Sequence, residues 1–477
     1  MSVHLVVLSA YSLALMALGL WIGRRVRSAS DFFVAGRQLG PGLIFSTMLA
    51  ANIGAGSTVG ATSRGYVGGI AACWWVGSAA IGSLVLAIWI GPSIRRLAAA
   101  RGLRTVGDYL EYRYSRSVRA IIAGLLWVGS LFILSAQLTA IGWILNVVAA
   151  VPRPVGCIIG GVAITVYFAA GGLLTAAWVN VVQLTVKLVG FAIALPIALS
   201  MVGGWSALAA VHTDDPAYWT FWRTDTPGLM YLALLVPAFI VSPGLLQKIF
   251  GARDDRAVRL GVGLNALGLF FYAGVPAVLG IIARLKFPQL ENANLALPMV
   301  LMYGVPGMVG ALGLAAVFSA EISAADAVLF MLTTSLSQDL YKRFVHPAAD
   351  DARVLQVARW TTVVSGAFGV ALAITLADVI ESLTIFYTLL GVSLFVPIVA
   401  GLYVPRTTSA GALASIVAGV VGMLVVQTLT AGQGWGVVTP ALGGLLAAIA
   451  AWAISLAIGS TLQTSHQSLS ADRDLGI

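Results

Sequence analysis

Residues 46–60 read Ser46-Thr47-Met48-Leu49-Ala50-Ala51-Asn52-Ile53-Gly54-Ala55-Gly56-Ser57-Thr58-Val59-Gly60. The stretch is apolar enough for a bilayer, yet it carries an amide, several hydroxyls and closely spaced glycines. Gly54 and Gly56 permit backbone that leaves the helix, and irregular backbone at that depth must line a cavity or be buried in protein, because lipid cannot satisfy it. A second apolar stretch, Leu229 to Phe250, is interrupted by Pro237 and by Pro243-Gly244. Small residues also serve plain close packing of membrane helices. Two interruptions in corresponding places, five spans apart and in opposite orientation, predict instead a binding site at the midplane where the breaks meet.

Working outward, the chain has 477 residues, of which 59% are hydrophobic and only 9% charged; a soluble domain carries about 25% charged residues. Thirteen apolar spans can be marked, most of them near the ~20 residues that cross hydrocarbon as a helix. They begin with Val3 to Ile22, Ile44 to Gly60 and Ile70 to Ile90, and end with Val438 to Ile458. Continuous rather than alternating hydrophobicity excludes a β-barrel. The fold class expected is an all-α polytopic membrane protein of about thirteen transmembrane helices, built as a five-plus-five inverted repeat with two broken helices. Its expected divisions are a first helix and loop (1–40), a first five-helix unit (41–203) and an outer loop (204–227). A second unit (228–405), two further helices (406–460) and a polar tail (461–477) follow.

The net charge of +9 is explained by topology. Arg24, Arg25, Arg27 and Arg37, then Arg95 through Arg119, then Lys248 through Arg259, then Lys342 through Arg359, fall in alternate loops, and only Arg64, Arg153, Arg223, Arg284 and Lys286 lie on the other side. Positive residues mark the cytoplasm, so the amino terminus is expected outside and the tail inside, in a plasma membrane of the bacterial inner-membrane kind, with no nucleic-acid partner. Cys73 and Cys157 fall inside apolar spans and support neither a disulfide framework nor a metal site.

A channel would show rings of like charge or a repeated filter sequence. An enzyme would place a His at ligand or triad spacing from the membrane acids, and a sensor would need an output domain. The sequence shows none of these, so the two broken helices favour a secondary transporter of a small organic solute, with a channel or a non-transporting membrane sensor as the alternatives.

The chain resembles the sodium:solute symporter family. The resemblance rests on Asp31-Phe32-Phe33-Val34-Ala35-Gly36-Arg37, on Gly171-Gly172-Leu173-Leu174-Thr175-Ala176-Ala177-Trp178-Val179-Asn180-Val181-Val182-Gln183, on Gln247-Lys248-Ile249-Phe250-Gly251-Ala252 and on Gln338-Asp339-Leu340-Tyr341-Lys342. It implies a leucine-transporter-like fold and cation-driven uptake, with Na+ as coupling ion and H+ as the alternative. It also implies a central sodium site on the carbonyls of Ala50 and Ile53, faced by Ala316, Ser319 and Ala320. Two features of the family pattern are missing: Ala320 stands where a hydroxyl is usual, and Asn180 where an acid is usual.

Charge sits elsewhere in the spans. Lys187, Glu321 and Asp326 lie in otherwise apolar helices, where each unpaired charge costs about 3 kcal/mol, and with Asn180 and Ser323 they are candidates for the ion path. Helical spacing puts Ser319, Ser323 and Asp326 on one face with Glu321 well away from it. An ammonium on Lys187 is expected to occupy or approach the place of a cation, with Asp326 or Glu321 as its partner; the alternative is a static ion pair, or a neutral acid bonded to a hydroxyl, that ties two helices together. Asn52, Gly54, Gly56, Ser57, Thr58, Trp74, Trp75, Phe239, Phe386 and Tyr387 are the candidates for the solute pocket.

Overall fold

In hydrocarbon every backbone donor and acceptor must be satisfied within the protein, and the chain meets that demand almost wholly with helices. The computed structural model describes residues 3–23, 37–169, 172–211, 214–225 and 227–474. The motif residues 31–36 and Gly171, and the loop arginines Arg24, Arg25 and Arg27, lie outside them.

The first helices are α1 (Val3–Gly23), α2 (Pro41–Asn52), α3 (Ala61–Gly68), α4 (Cys73–Val85), α5 (Gly91–Arg101), α6 (Val106–Arg113) and α7 (Arg116–Ala149). Next come α8 (Arg153–Ala169), α9 (Gly172–Met201), the short outer-loop helix α10 (Gly204–Ala209), α11 (Met230–Val241), α12 (Pro243–Phe250), α13 (Asp255–Tyr272) and α14 (Gly274–Lys286). The chain closes with α15 (Ala296–Met299), α16 (Gly307–Thr334), α17 (Asp351–Thr375), α18 (Val379–Tyr403), α19 (Ser409–Leu429) and α20 (Pro440–Asp474). Among the described residues, the only sheet-like pairings are two isolated bridges.

Ten stretches of the described residues are long and apolar enough to cross a bilayer, and Val3–Leu15, Arg153–Val166 and Ala293–Gly304 are shorter apolar helices. The count differs from thirteen partly because Gly56–Arg101 runs as one helical stretch, joining the end of the second expected span to the third. Gly69 makes the reversal inside it: its φ of +73° is left-handed, and a Cβ there would lie 1.9 Å from the Tyr218 carbonyl oxygen, so only glycine fits.

Both breaks are present. α2 stops at Asn52, and Ile53 leaves helical geometry with ψ of 89° before a π-helical turn, Gly56–Gly60, restarts the rod toward α3. The second break is at Ser242, with ψ of 119°, and Pro243 opens α12 as its first residue, where the absent N–H costs nothing. α16, buried along 94% of its most apolar window, is the central element. It packs against α9, α7 and α2, while α11 packs against α4 and α18.

Candidate functional site

The end of α2 leaves carbonyls that no later turn can satisfy, and side chains from two other helices reach them. Lys187 of α9 is fully buried, and its Nζ donates to Ala50 O at 2.5 Å, to Ile53 O at 3.1 Å and to Ser323 Oγ at 2.5 Å. Ser323 of α16 donates in turn to Ala50 O at 2.8 Å. Lys248 of α12 donates to Thr47 O at 3.0 Å, and Asn180 Nδ2 donates to Thr47 Oγ1 at 2.9 Å.

On the far side of the break, Ala55 N donates to Gln137 Oε1 at 2.9 Å, and Ser57 Oγ accepts from Gly54 N while donating to Asn52 O. The Thr58 hydroxyl lies 2.7 Å from Glu321 Oε1 and 2.9 Å from Gly54 O, and its single proton serves one of them at a time.

Several expected placements change. Ser319 does not face Ala50 and Ile53: its hydroxyl accepts from Tyr11 of α1 at 2.7 Å and donates to Gln183 O at 3.2 Å. Ser323, four residues on and so about one turn away, occupies the place expected of Ser319. Ala316 packs toward α9, where a Cβ on Gly190 would come within 2.5 Å of the Ala316 methyl. Ala320 borders the break through its carbonyl, 3.1 Å from the Ser323 hydroxyl, whose single proton serves either this oxygen or Ala50 O at a time. Lys187 gives its three protons to two carbonyls and a hydroxyl rather than to Asp326 or Glu321, because the bare helix end supplies acceptors at the right depth. Lys248, assigned from sequence to a loop, is 3% exposed inside α12. Asp326 borders a small void with Asn180, Lys248 and Thr47.

Between the two breaks lies a cavity lined by Asn52, Gly54, Gly56, Ser57, Trp75, Phe239, Phe386 and Tyr387, all of them sequence candidates. Phe239, Phe386 and Trp75 surround Tyr387 at ring separations of 5.6, 5.1 and 6.1 Å. Trp74 is not in the lining: it turns to the outer loop, donating to Phe221 O and stacking on Phe221 and Trp222. Neither Gly54 nor Gly56 has positive φ. What they supply is room, since a Cβ on Gly54 would meet Ala324 Cβ at 2.4 Å and one on Gly56 would meet Leu383 Cδ1 at 2.6 Å. Sequence reading missed Gln137, Ser242, Lys248 and Ala324 in the lining. Gln137 had a signal, a lone amide in the middle of a long apolar span.

The model of the sodium:solute symporter family matches residues 32–419. The chain belongs to this family. A sodium/glucose cotransporter of Vibrio parahaemolyticus is 24% identical over 466 residues, covering 88% of this chain and 84% of the relative. A sodium/pantothenate symporter of Escherichia coli (strain K12) is 26% identical over 422 residues, covering 84% and 85%. Among solved structures, a Na+-coupled sialic acid symporter in a substrate-bound outward-open state superposes with a TM-score of 0.79 at 17% identity, covering 95% of this chain and 97% of that one. A nucleobase-cation-symport-1 family transporter in a closed conformation gives 0.62 at 14% identity. The symporter thus has the leucine-transporter-like inverted-repeat fold and is a multi-pass membrane protein. It is a secondary active transporter, coupling a small solute to a cation, and not an enzyme.

Proposed function

We propose that this symporter carries a small organic solute inward, bound in the cavity between the break of α2 and the break at Ser242. The cavity supports the reading: aromatic faces for an apolar body, and Asn52, Ser57 and Gln137 with helix-end backbone for polar groups, is the usual composition of a small-molecule site. Relatives whose names carry glucose, choline and pantothenate agree on the size class. Sodium is the coupling ion that family membership favours. A sodium-independent cycle is the second reading, favoured by Lys187 on the carbonyls of Ala50 and Ile53. The charge distribution supports an orientation with the amino terminus outside and the carboxyl terminus in the cytoplasm, and the location proposed is a bacterial inner membrane.

Proteoliposomes offered an external radiolabelled panel of sugars, carboxylates, amino acids, quaternary amines and vitamins test it. One class should accumulate under an imposed sodium or proton gradient, and accumulation should vanish when the gradient is collapsed. A sodium gradient at equal pH that drives nothing would remove sodium as the driving ion. No accumulation of any class under either gradient would remove the transport reading.

A further inference from the structure

An ammonium carries three protons and no acceptor, so a buried lysine is satisfied only where three oxygens converge. Lys187 has found such a place, and it is the one that family resemblance assigns to sodium. Ala50 O, Ile53 O and Ser323 Oγ stand 2.5, 3.1 and 2.5 Å from Nζ. Those are two unwound carbonyls and a hydroxyl, the hard oxygens a desolvated alkali cation also wants.

A second cation sharing the carbonyls would sit within a few ångströms of the ammonium in a low-dielectric interior, where like charges repel strongly. Glu321 and Asp326 of α16 lie in its electrostatic surroundings together with Lys248 of α12. The approach is built in: α9 and α16 come so close that a side chain at Gly190 would strike Ala316. That close approach lies about one turn from Lys187.

We propose that Lys187 is a tethered cation filling the central sodium site, so that this symporter holds no sodium ion there and any sodium that drives it binds elsewhere. The proposal rests on the reading of the break in α2 as the family's cation site, and it concerns binding rather than uptake.

Equilibrium binding of 22Na+ to the purified full-length protein, against N-methyl-D-glucamine as inert cation, tests it in four forms: wild type, Ser323→Ala, Lys187→Ala and the double variant. Removing the Ser323 hydroxyl from the otherwise native protein should change sodium affinity by less than about twofold, since no sodium uses it. Lys187→Ala, checked as a monodisperse species, should gain about one sodium per chain, and adding Ser323→Ala should weaken that gained site by about tenfold, the scale of one lost hydrogen-bonding oxygen on a charge.

A drop of about tenfold in sodium affinity caused by Ser323→Ala alone overturns the proposal, as does a folded Lys187→Ala protein that gains no sodium. If Lys187→Ala does not fold, the Ser323→Ala comparison still decides, because it leaves the lysine in place. Failure of solute uptake under every gradient would instead remove the transport reading and leave the binding result standing.

Discussion

The Ser319 hydroxyl ties α16 to Tyr11 of α1 and to the Gln183 carbonyl of α9, so its loss touches helix packing and not the end of α2. Ser319→Ala should therefore leave half-saturation by the coupling cation within about twofold while lowering stability by about 1 kcal/mol, the net worth of an ordinary hydrogen bond. Uptake titrated with the cation checks this, and a large rise in half-saturation would return Ser319 to the cation site. Thr58 behaves differently, since its hydroxyl is the contact of buried Glu321 Oε1. Thr58→Val strips a buried carboxyl of that contact and should cost about 1–3 kcal/mol, read as a lower melting temperature in detergent. An unshifted melt would show that Glu321 is satisfied by other means.

At the scale of elements, the broken helix predicts its own failure. Leucine at Gly54 must displace Ala324, and leucine at Gly56 must displace Leu383 and press on Trp75. Overpacking of this kind costs about 1–3 kcal/mol, and in each case the added side chain fills the cavity. Gly54→Leu and Gly56→Leu should abolish solute binding while the protein still assembles; unchanged affinity in both would move the pocket elsewhere.

A second element-scale device joins α6 to the π-helical continuation of α16, Ser335–Val345. Arg119 bridges Asp108, Glu111 and Asp339, and Arg343 pairs with Glu111. Burial opposes the charged form of Glu111, but the guanidiniums of Arg343 and Arg119 outweigh it and hold its carboxyl below the usual range. A lowered folded value means that the stabilisation is full above about pH 4.3, the ordinary glutamate value, and is lost as pH falls through the folded value. Thermal melts across that acid window should fall more steeply for the native protein than for Glu111→Gln; parallel curves would show that Glu111 carries none of the acid sensitivity.

Transport through a midplane pocket requires helices to move so that it opens to each side in turn. Alternating access is then visible as the changing reactivity of one lining thiol. Cys73 and Cys157 are buried, which keeps the native background low, and Ser242 lines the cavity at the second break. Ser242→Cys in proteoliposomes should react with a permeant thiol reagent, and solute at about ten times its Kd should slow the reaction by about tenfold, the fraction of sites left free. A rate indifferent to every transported solute would place the pocket away from Ser242.

Composition determined that this chain lives in a bilayer, because 9% charged residues cannot cover a soluble surface, and continuous apolar spans determined that it crosses as helices. The polar, glycine-bearing stretch 46–60 and Pro243 marked both breaks, because a helix interruption is a local event written in local residues; Pro237, also expected to interrupt its span, lies inside the continuous helix α11. Most of the pocket was legible for the same reason: Asn52, Gly56 and Ser57 lie on the break itself. The identity of the cation ligand was not. Ser319 and Ser323 are chemically alike and one turn apart, and which of them meets Ala50 depends on the rotation and depth of α16 against α2, set by packing over its whole length. Trp74 and Trp75 are adjacent in sequence, yet only the second reaches the cavity. Nor does sequence bring Lys187 to Ala50 and Lys248 to Thr47, since a long side chain's destination is decided by where acceptor oxygens lie in space, and only the folded bundle sets that.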